Sequence, residues 1–147
     1  MMKKLLHKYG LDIMTLQYVP VVVSNPTQKN SYLNTLHFIK QNPQYEQVYG
    51  WICIPYSCGQ YGCDNHILQG HYVVKQKSRL LDTTPNFRDY KAVMFIPDNI
   101  IKPFSPVSSK PIFLSRTVGL GGCYECAAKT HQELNRKQLL KLLRIVD

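Results

Sequence analysis

Apolar residues recur along this chain in short runs whose spacing separates strands from helices. Residues 2–17 form a short amphipathic piece, and the extended apolar run YVPVVV follows and ends at the turn former SNP. Tyr32, Leu36 and Ile39 then fall at i, i+4 and i+7, the spacing of one helical face. Thr27 or Asn30 can cap that helix, and Asn42-Pro43 stops it. The segment QVYGWICIP predicts a strand, with Val48, Trp51 or Ile52, and Ile54 available to a core. SCGQYGCDNH, residues 57–66, is too rich in Gly, Asn and Cys for regular structure and predicts a loop.

The stretch HYVVKQKSRLLDTTP predicts two short strands joined by a basic turn at Gln76 and Lys77. If residue 73 pairs with residue 80 there, residue 71 pairs with residue 82. His71 and Asp82 are then cross-strand neighbours, close enough for the carboxylate to orient the imidazole. A turn around Pro85-Asn86 and the strand AVMFIP come next, and IIKPFSPVSSKP reads as an extended, Pro-rich connection. Leu139, Leu142, Leu143 and Val146 have the i, i+3, i+4, i+7 spacing of a packing face on a final helix. The expected fold is α+β. An antiparallel sheet from segments near 19–23, 48–54, 71–75, 79–82 and 92–96 is packed by a helix at 31–41, and a C-terminal helix docks through Leu139, Leu142 and Leu143.

A chain of 147 residues, 44% of them hydrophobic, supports one sizeable core, so residues 1–147 are expected to form a single domain. No run of 18 apolar residues exists to span a membrane, and the basic N-terminus lacks the apolar centre and cleavage site of a leader. Five cysteines, two of them as CxxC, suit metal or free thiols in a reducing intracellular compartment better than a disulfide framework. Abundant Lys, Asn and Tyr would suit an AT-rich genome, including a viral one, so a place in a virion is a further option. The net charge of +9 invites a nucleic-acid partner. The charges, however, fall in separate clusters at Lys3, Lys4 and Lys8, at Lys75, Lys77 and Arg79, and at Lys129, Arg136, Lys137, Lys141 and Arg144. Such clusters are more often solvated surface, and ten tyrosines serve half-buried strands as readily as base stacking.

The candidate nucleophile is Ser31, at the helix start, which completes the chain order Ser31, His71, Asp82. A thiol at that position would gain from the helix dipole; a hydroxyl stays protonated at neutral pH and needs the base itself. The bland alternative makes Ser31 a cap or first-turn residue, His71 a partly buried strand residue, and Asp82 an Asx-turn former ahead of Thr83 and Thr84.

Several short pieces carry a family likeness: VPV at 19–21, SYLN at 31–34, YGW at 49–51, HYVV at 71–74, DTTP at 82–85 and FIPD at 95–98. In order and spacing they resemble an uncharacterised family of small bacterial proteins. That family has Val-Pro-Val, a Cys-Phe-x-Asn-Val helix start, a Gly-Trp strand, a Glu-Phe-His-Ala-Val-Trp strand, an Asp-x-Thr-Pro turn and a Phe-Leu-Pro-Asp strand end. The likeness covers residues 18–98 and leaves 99–147 as connection, CxxC and C-terminal helix. Its Cys, His, Asp order suggests a papain- or transglutaminase-like fold. Here Ser31 stands where the family has cysteine, and Gln69 where it has glutamate. The resemblance therefore implies a degenerate cysteine-peptidase-like fold that has lost thiol chemistry, with His71, Asp82 and Asn34 kept for structure.

The cysteines pose a separate question. Cys58 and Cys63 share the loop, and Cys123 and Cys126 follow Gly119, Gly121 and Gly122, whose flexibility lets a CxxC close on one ion. The two pairs suit one structural, four-thiolate Zn2+, with His66 as an alternative ligand; core or free thiols and a redox pair are the competing uses. Cys53, inside a strand, is expected in the core. Two functions follow from different classes. One is a non-catalytic, zinc-stapled pseudoenzyme module that binds a protein or nucleic-acid partner through a basic surface. The other is a hydrolase or acyl transferase with Ser31 as nucleophile, His71 as base and Asp82 as orienter.

Overall fold

A computed structural model describes residues 6–7, 10–23, 25–56, 65–86, 89–99 and 113–116, with backbone alone for 55–56, 65–67 and 113–116. The ordered elements are a 3-10 turn (Ile13–Thr15), β1 (Gln17–Pro20), α1 (Ser31–Gln41), β2 (Glu46–Tyr56), β3 (Asn65–Gln76), β4 (Arg79–Leu81), β5 (Ala92–Pro97) and β6 (Phe113–Arg116). The expected connection at 100–111, the final helix with Leu139, Leu142, Leu143 and Val146, and Cys58, Cys63, Cys123 and Cys126 lie outside the described residues. Among the described residues, no helix is long and apolar enough to cross a membrane.

The strands form one sheet in the order β1-β5-β2-β3-β4, with β6 paired to β3 beside this path. All the strand pairings are antiparallel. The two ends of the path meet through a parallel bridge between Val21 and Asp82, so the sheet nearly closes into a barrel. The Asp82 amide donates to the Pro20 carbonyl at 2.9 Å, and its own carbonyl accepts from the Val22 amide at 2.7 Å.

Closure gives the sheet two buried faces. Val19, Val73, Leu80, Val93 and Phe95, joined by Val21, Val48 and Ile52, come from all five strands of the path and fill the concave side. Tyr49, Trp51, Cys53, Leu68, Tyr72 and Ile96 point the other way, where Leu6 and Leu11 cover them. Alternation along β2 thus sends Trp51 to one side and Val48 and Ile52 to the other, as the pleat requires. Trp51 is held by an indole N–H bond to Asp98 Oδ2 at 3.0 Å, and Tyr49, Trp51, Tyr72 and Tyr32 meet edge to face.

Helix α1 has the expected bounds and the expected cap. Asn30 Oδ1 accepts from the Leu33 amide, and the chain leaves at Asn42. Its buried side differs from the expected one. Asn34 and Thr35 are buried, Tyr32 and Ile39 are half-buried, and Leu36 is exposed. At 100° per residue, the inward side is rotated by about a quarter turn from the Tyr32, Leu36, Ile39 stripe. Polar partners explain the rotation: Gln47 Nε2 donates to Thr35 Oγ1 at 2.7 Å, and Asn34 Nδ2 donates to the Gln28 carbonyl at 2.8 Å.

Two further expectations change. The β3–β4 turn is Lys77-Ser78, with Lys77 at φ 55°, so Lys75 rather than Val73 lies opposite Leu80. Strand pairing between β2 and β3 also runs on to Tyr56 and Asn65, so Asn65 and His66, expected in the loop, belong to β3. β6 itself, FLSR after a Pro-rich stretch, has too few alternating residues to be read as a strand.

Gly50 lies opposite His71 on β2, and a Cβ there would sit 2.4 Å from the Phe95 ring and 2.3 Å from the Ile96 carbonyl oxygen. Gly50→Ala is therefore expected to lower unfolding free energy by about 3 kcal/mol, since part of the clash is with backbone. Urea titration checks it, and an unchanged midpoint would contradict the packing described.

Burial pushes the Cys53 thiol from 9.0 up to about 12. The unfolded thiol loses its proton near 9.0 while the folded one keeps it to about 12, so this contribution to stability is complete below pH 9 and declines across that window. Cys53 should resist iodoacetamide at pH 8 until denaturant is added, as read by peptide mapping, and Cys53→Val should flatten the alkaline decline.

Candidate functional site

His71 and Asp82 come together as the sequence suggests, by a different register. With Lys75 opposite Leu80, His71 and Asp82 are diagonal rather than direct neighbours. A shift of two residues preserves the face, because side chains alternate with a period of two. The pair forms at 2.9 Å between His71 Nε2 and Asp82 Oδ1. Diagonal neighbours across a sheet are within reach of long side chains.

Both side chains are buried, His71 6% exposed and Asp82 1%. The carboxylate has further support, since Oδ1 also accepts the Thr84 amide at 3.0 Å. That bond is the Asx turn read from the sequence, formed by the oxygen that holds the histidine. Nε2 is the ring nitrogen engaged with the carboxylate.

Ser31 sits at the first position of α1. On its free side, β3 is paired by β6 at residues 67–69 and by β4 at residues 74–76, which leaves a gap between them. The N-terminus of α1 fills the gap: Ser31 Oγ accepts the Tyr72 amide at 3.2 Å, one residue from His71. Among the described residues, no hydrogen bond joins Ser31 to His71. The serine oxygen acts here as a substitute for a missing strand carbonyl.

The six short segments singled out in the sequence contact one another around this point. Val21 of VPV bridges Asp82 of DTTP, Ser31 and Tyr32 of SYLN meet Tyr72 of HYVV, and Asn34 Nδ2 reaches Thr84 Oγ1 at 3.3 Å. Trp51 of YGW bonds Asp98 of FIPD, and Gly50 pairs with Pro97. Thr84, read from the sequence only as a residue of the Asx turn, also ties the helix to that turn. A cleft of about 230 Å³ opens beside the helix, lined by Asn25, Gln28, Leu33, Asn34 and His37.

Of the metal candidates, His66 lies on β3 opposite Pro55, with only its backbone described. Among the described residues, no group of three or more His, Cys, Asp or Glu side chains is placed to hold a metal ion. Cys53 is a buried free thiol, as expected of a core cysteine.

Asp82→Ala removes one partner of a buried pair and opens the seam residue's side chain, so a loss of about 3 to 5 kcal/mol is expected. His71→Phe with Asp82→Leu should cost less than the two single changes together, because neither group is left alone. Equilibrium denaturation of the four proteins checks this; additive losses would deny the coupling. Comparison with protein-family models, curated proteins and solved structures returned no match.

Proposed function

We propose that this protein is a non-catalytic binding or structural module with a degenerate cysteine-peptidase-like fold, stapled by one structural zinc ion and presenting a basic surface to a protein or nucleic-acid partner. Cys58, Cys63, Cys123 and Cys126 would hold the ion, with His66 as the alternative ligand. A closed four-thiolate site leaves no open position for catalysis and adds directly to folding stability.

The observation that carries the zinc is the course of β6. It runs antiparallel to β3 from opposite Gln69 to opposite Ile67, toward the end of the β2–β3 hairpin where Tyr56 pairs with Asn65. Cys58 and Cys63 each lie two residues from those paired ends, and Cys123 follows Arg116 by seven residues. Seven residues reach about 25 Å at full extension, against about 7 Å of strand from Ile67 to Asn65. Chain direction and length thus favour one end of the sheet for both pairs.

The non-catalytic part of the reading is supported by Ser31 Oγ, which is engaged with the Tyr72 amide, and by the burial of His71 and Asp82. Lys29, Lys40, Lys77, Arg79 and Lys91 are exposed, as a basic surface requires. One observation favours the second reading, a serine hydrolase or acyl transferase: the oriented His71–Asp82 pair lies one residue from the amide that holds Ser31.

Elemental analysis of the purified protein should give one zinc per chain. Cys123→Ser with Cys126→Ser should lose the metal and melt at lower temperature. A metal-free protein whose stability ignores those changes would remove zinc, and labelling of Ser31 by a fluorophosphonate probe would replace the module by the hydrolase.

A further inference from the structure

The inward side of α1 mixes Tyr32 and Ile39 with buried polar residues, and its outer side keeps two leucines. A helix on a sheet normally buries its apolar stripe and exposes its polar one. Here Asn34 and Thr35 are buried, while Leu33 and Leu36 stay 47% and 42% exposed. With His37 and Lys40 these leucines follow the i, i+3, i+4, i+7 spacing, so the four form a single outward stripe. Single exposed leucines are ordinary; two a turn apart, with Asn34 and Thr35 turned inward, give this face an apolar centre that the described residues do not cover. The cleft lined by Asn25, Gln28, Leu33, Asn34 and His37 adjoins the stripe and offers room for one side chain.

Charge selects the occupant. From Val21 to Tyr45 the chain carries Lys29, His37 and Lys40 and no acidic residue. The chain's own C-terminal leucines stand among Arg136, Lys137, Lys141 and Arg144, and a second copy would bring the same basic stripe, so both repel this face. A nucleic acid would match the charge and leave Leu33 and Leu36 without apolar contact.

We propose that the outward stripe of α1, centred on Leu33 and Leu36 and edged by Lys29, His37 and Lys40, docks an acidic protein segment that inserts apolar side chains beside the helix. The inference rests on the binding-module reading and is independent of zinc.

Fluorescence anisotropy tests it with three labelled probes: an amphipathic peptide of Leu and Glu at helical spacing, the same peptide with Lys for Glu, and a single-stranded thymidine oligonucleotide. The Glu peptide is expected to bind in the micromolar range and to weaken about tenfold with Leu33→Ser/Leu36→Ser and again with Lys40→Glu, while the Lys peptide stays unbound. These are surface changes and should leave the melting temperature and zinc content of the parent protein unaltered. Equal affinity of the Glu peptide for the parent and the double variant overturns the proposal, as does binding of the oligonucleotide alone or of no probe. A double variant that melts more than about 5 °C lower also overturns it, because the chain itself would then cover the face. Failure of peptide binding with zinc retained and no reactive serine leaves the module reading standing.

Discussion

The fold depends on what one residue does with both its backbone and its side chain. Asp82 joins the two ends of the sheet through its amide and carbonyl, and the same residue fixes His71 with a carboxylate oxygen inside the closed sheet. Without that closure, Val19 and Val93 on one side and Val73 and Leu80 on the other would have no common interior. The His71–Asp82 contact is buried because the seam is there, and the same carboxylate oxygen is also tied to the Thr84 amide. A buried carboxylate is tolerated when it is hydrogen-bonded, and Oδ1 of Asp82 is engaged by both the His71 ring and the Thr84 amide.

The same closure decides what surrounds the serine. β3 is long enough to be paired by β2 along almost its whole length, but its other edge is shared by two short strands with a gap between them. Helix α1 plugs the gap with Ser31 at its tip and secures itself through Asn34 and Thr35. Anchoring by hydrogen bonds turns polar residues inward and leaves leucines outward. The feature that engages Ser31 Oγ with the β3 edge is therefore the same one that leaves Leu33 and Leu36 outward.

Much of this was legible in the residues. Asn30 and Asn42-Pro43 bracket α1 because side-chain capping and the proline stop act locally. The alternating and β-branched runs gave five strands, with β2, β4 and β5 near their observed bounds, β1 two to three residues earlier than expected and β3 starting at Asn65 rather than His71. The pairing of His71 with Asp82 survived a wrong register because an error of two residues keeps the face. The rotation of α1 was not legible: periodicity counts apolar positions and gives no weight to Gln47 or Thr84, which reach the helix only after the chain has folded. Nor was β6, whose four residues take their strand character from the free edge of β3 rather than from their own composition.

By itself, then, the sequence determined the local elements, the faces of the strands and the set of groups capable of chemistry, because propensity, capping and alternation are short-range effects. Tertiary structure decided which groups meet. Barrel closure through Val21 and Asp82, the gap in the β3 edge filled by Ser31, and the space at Gly50 occupied by Phe95 join residues 41 to 61 positions apart. Contacts at such separations depend on the register and curvature of the whole sheet, which no local pattern encodes.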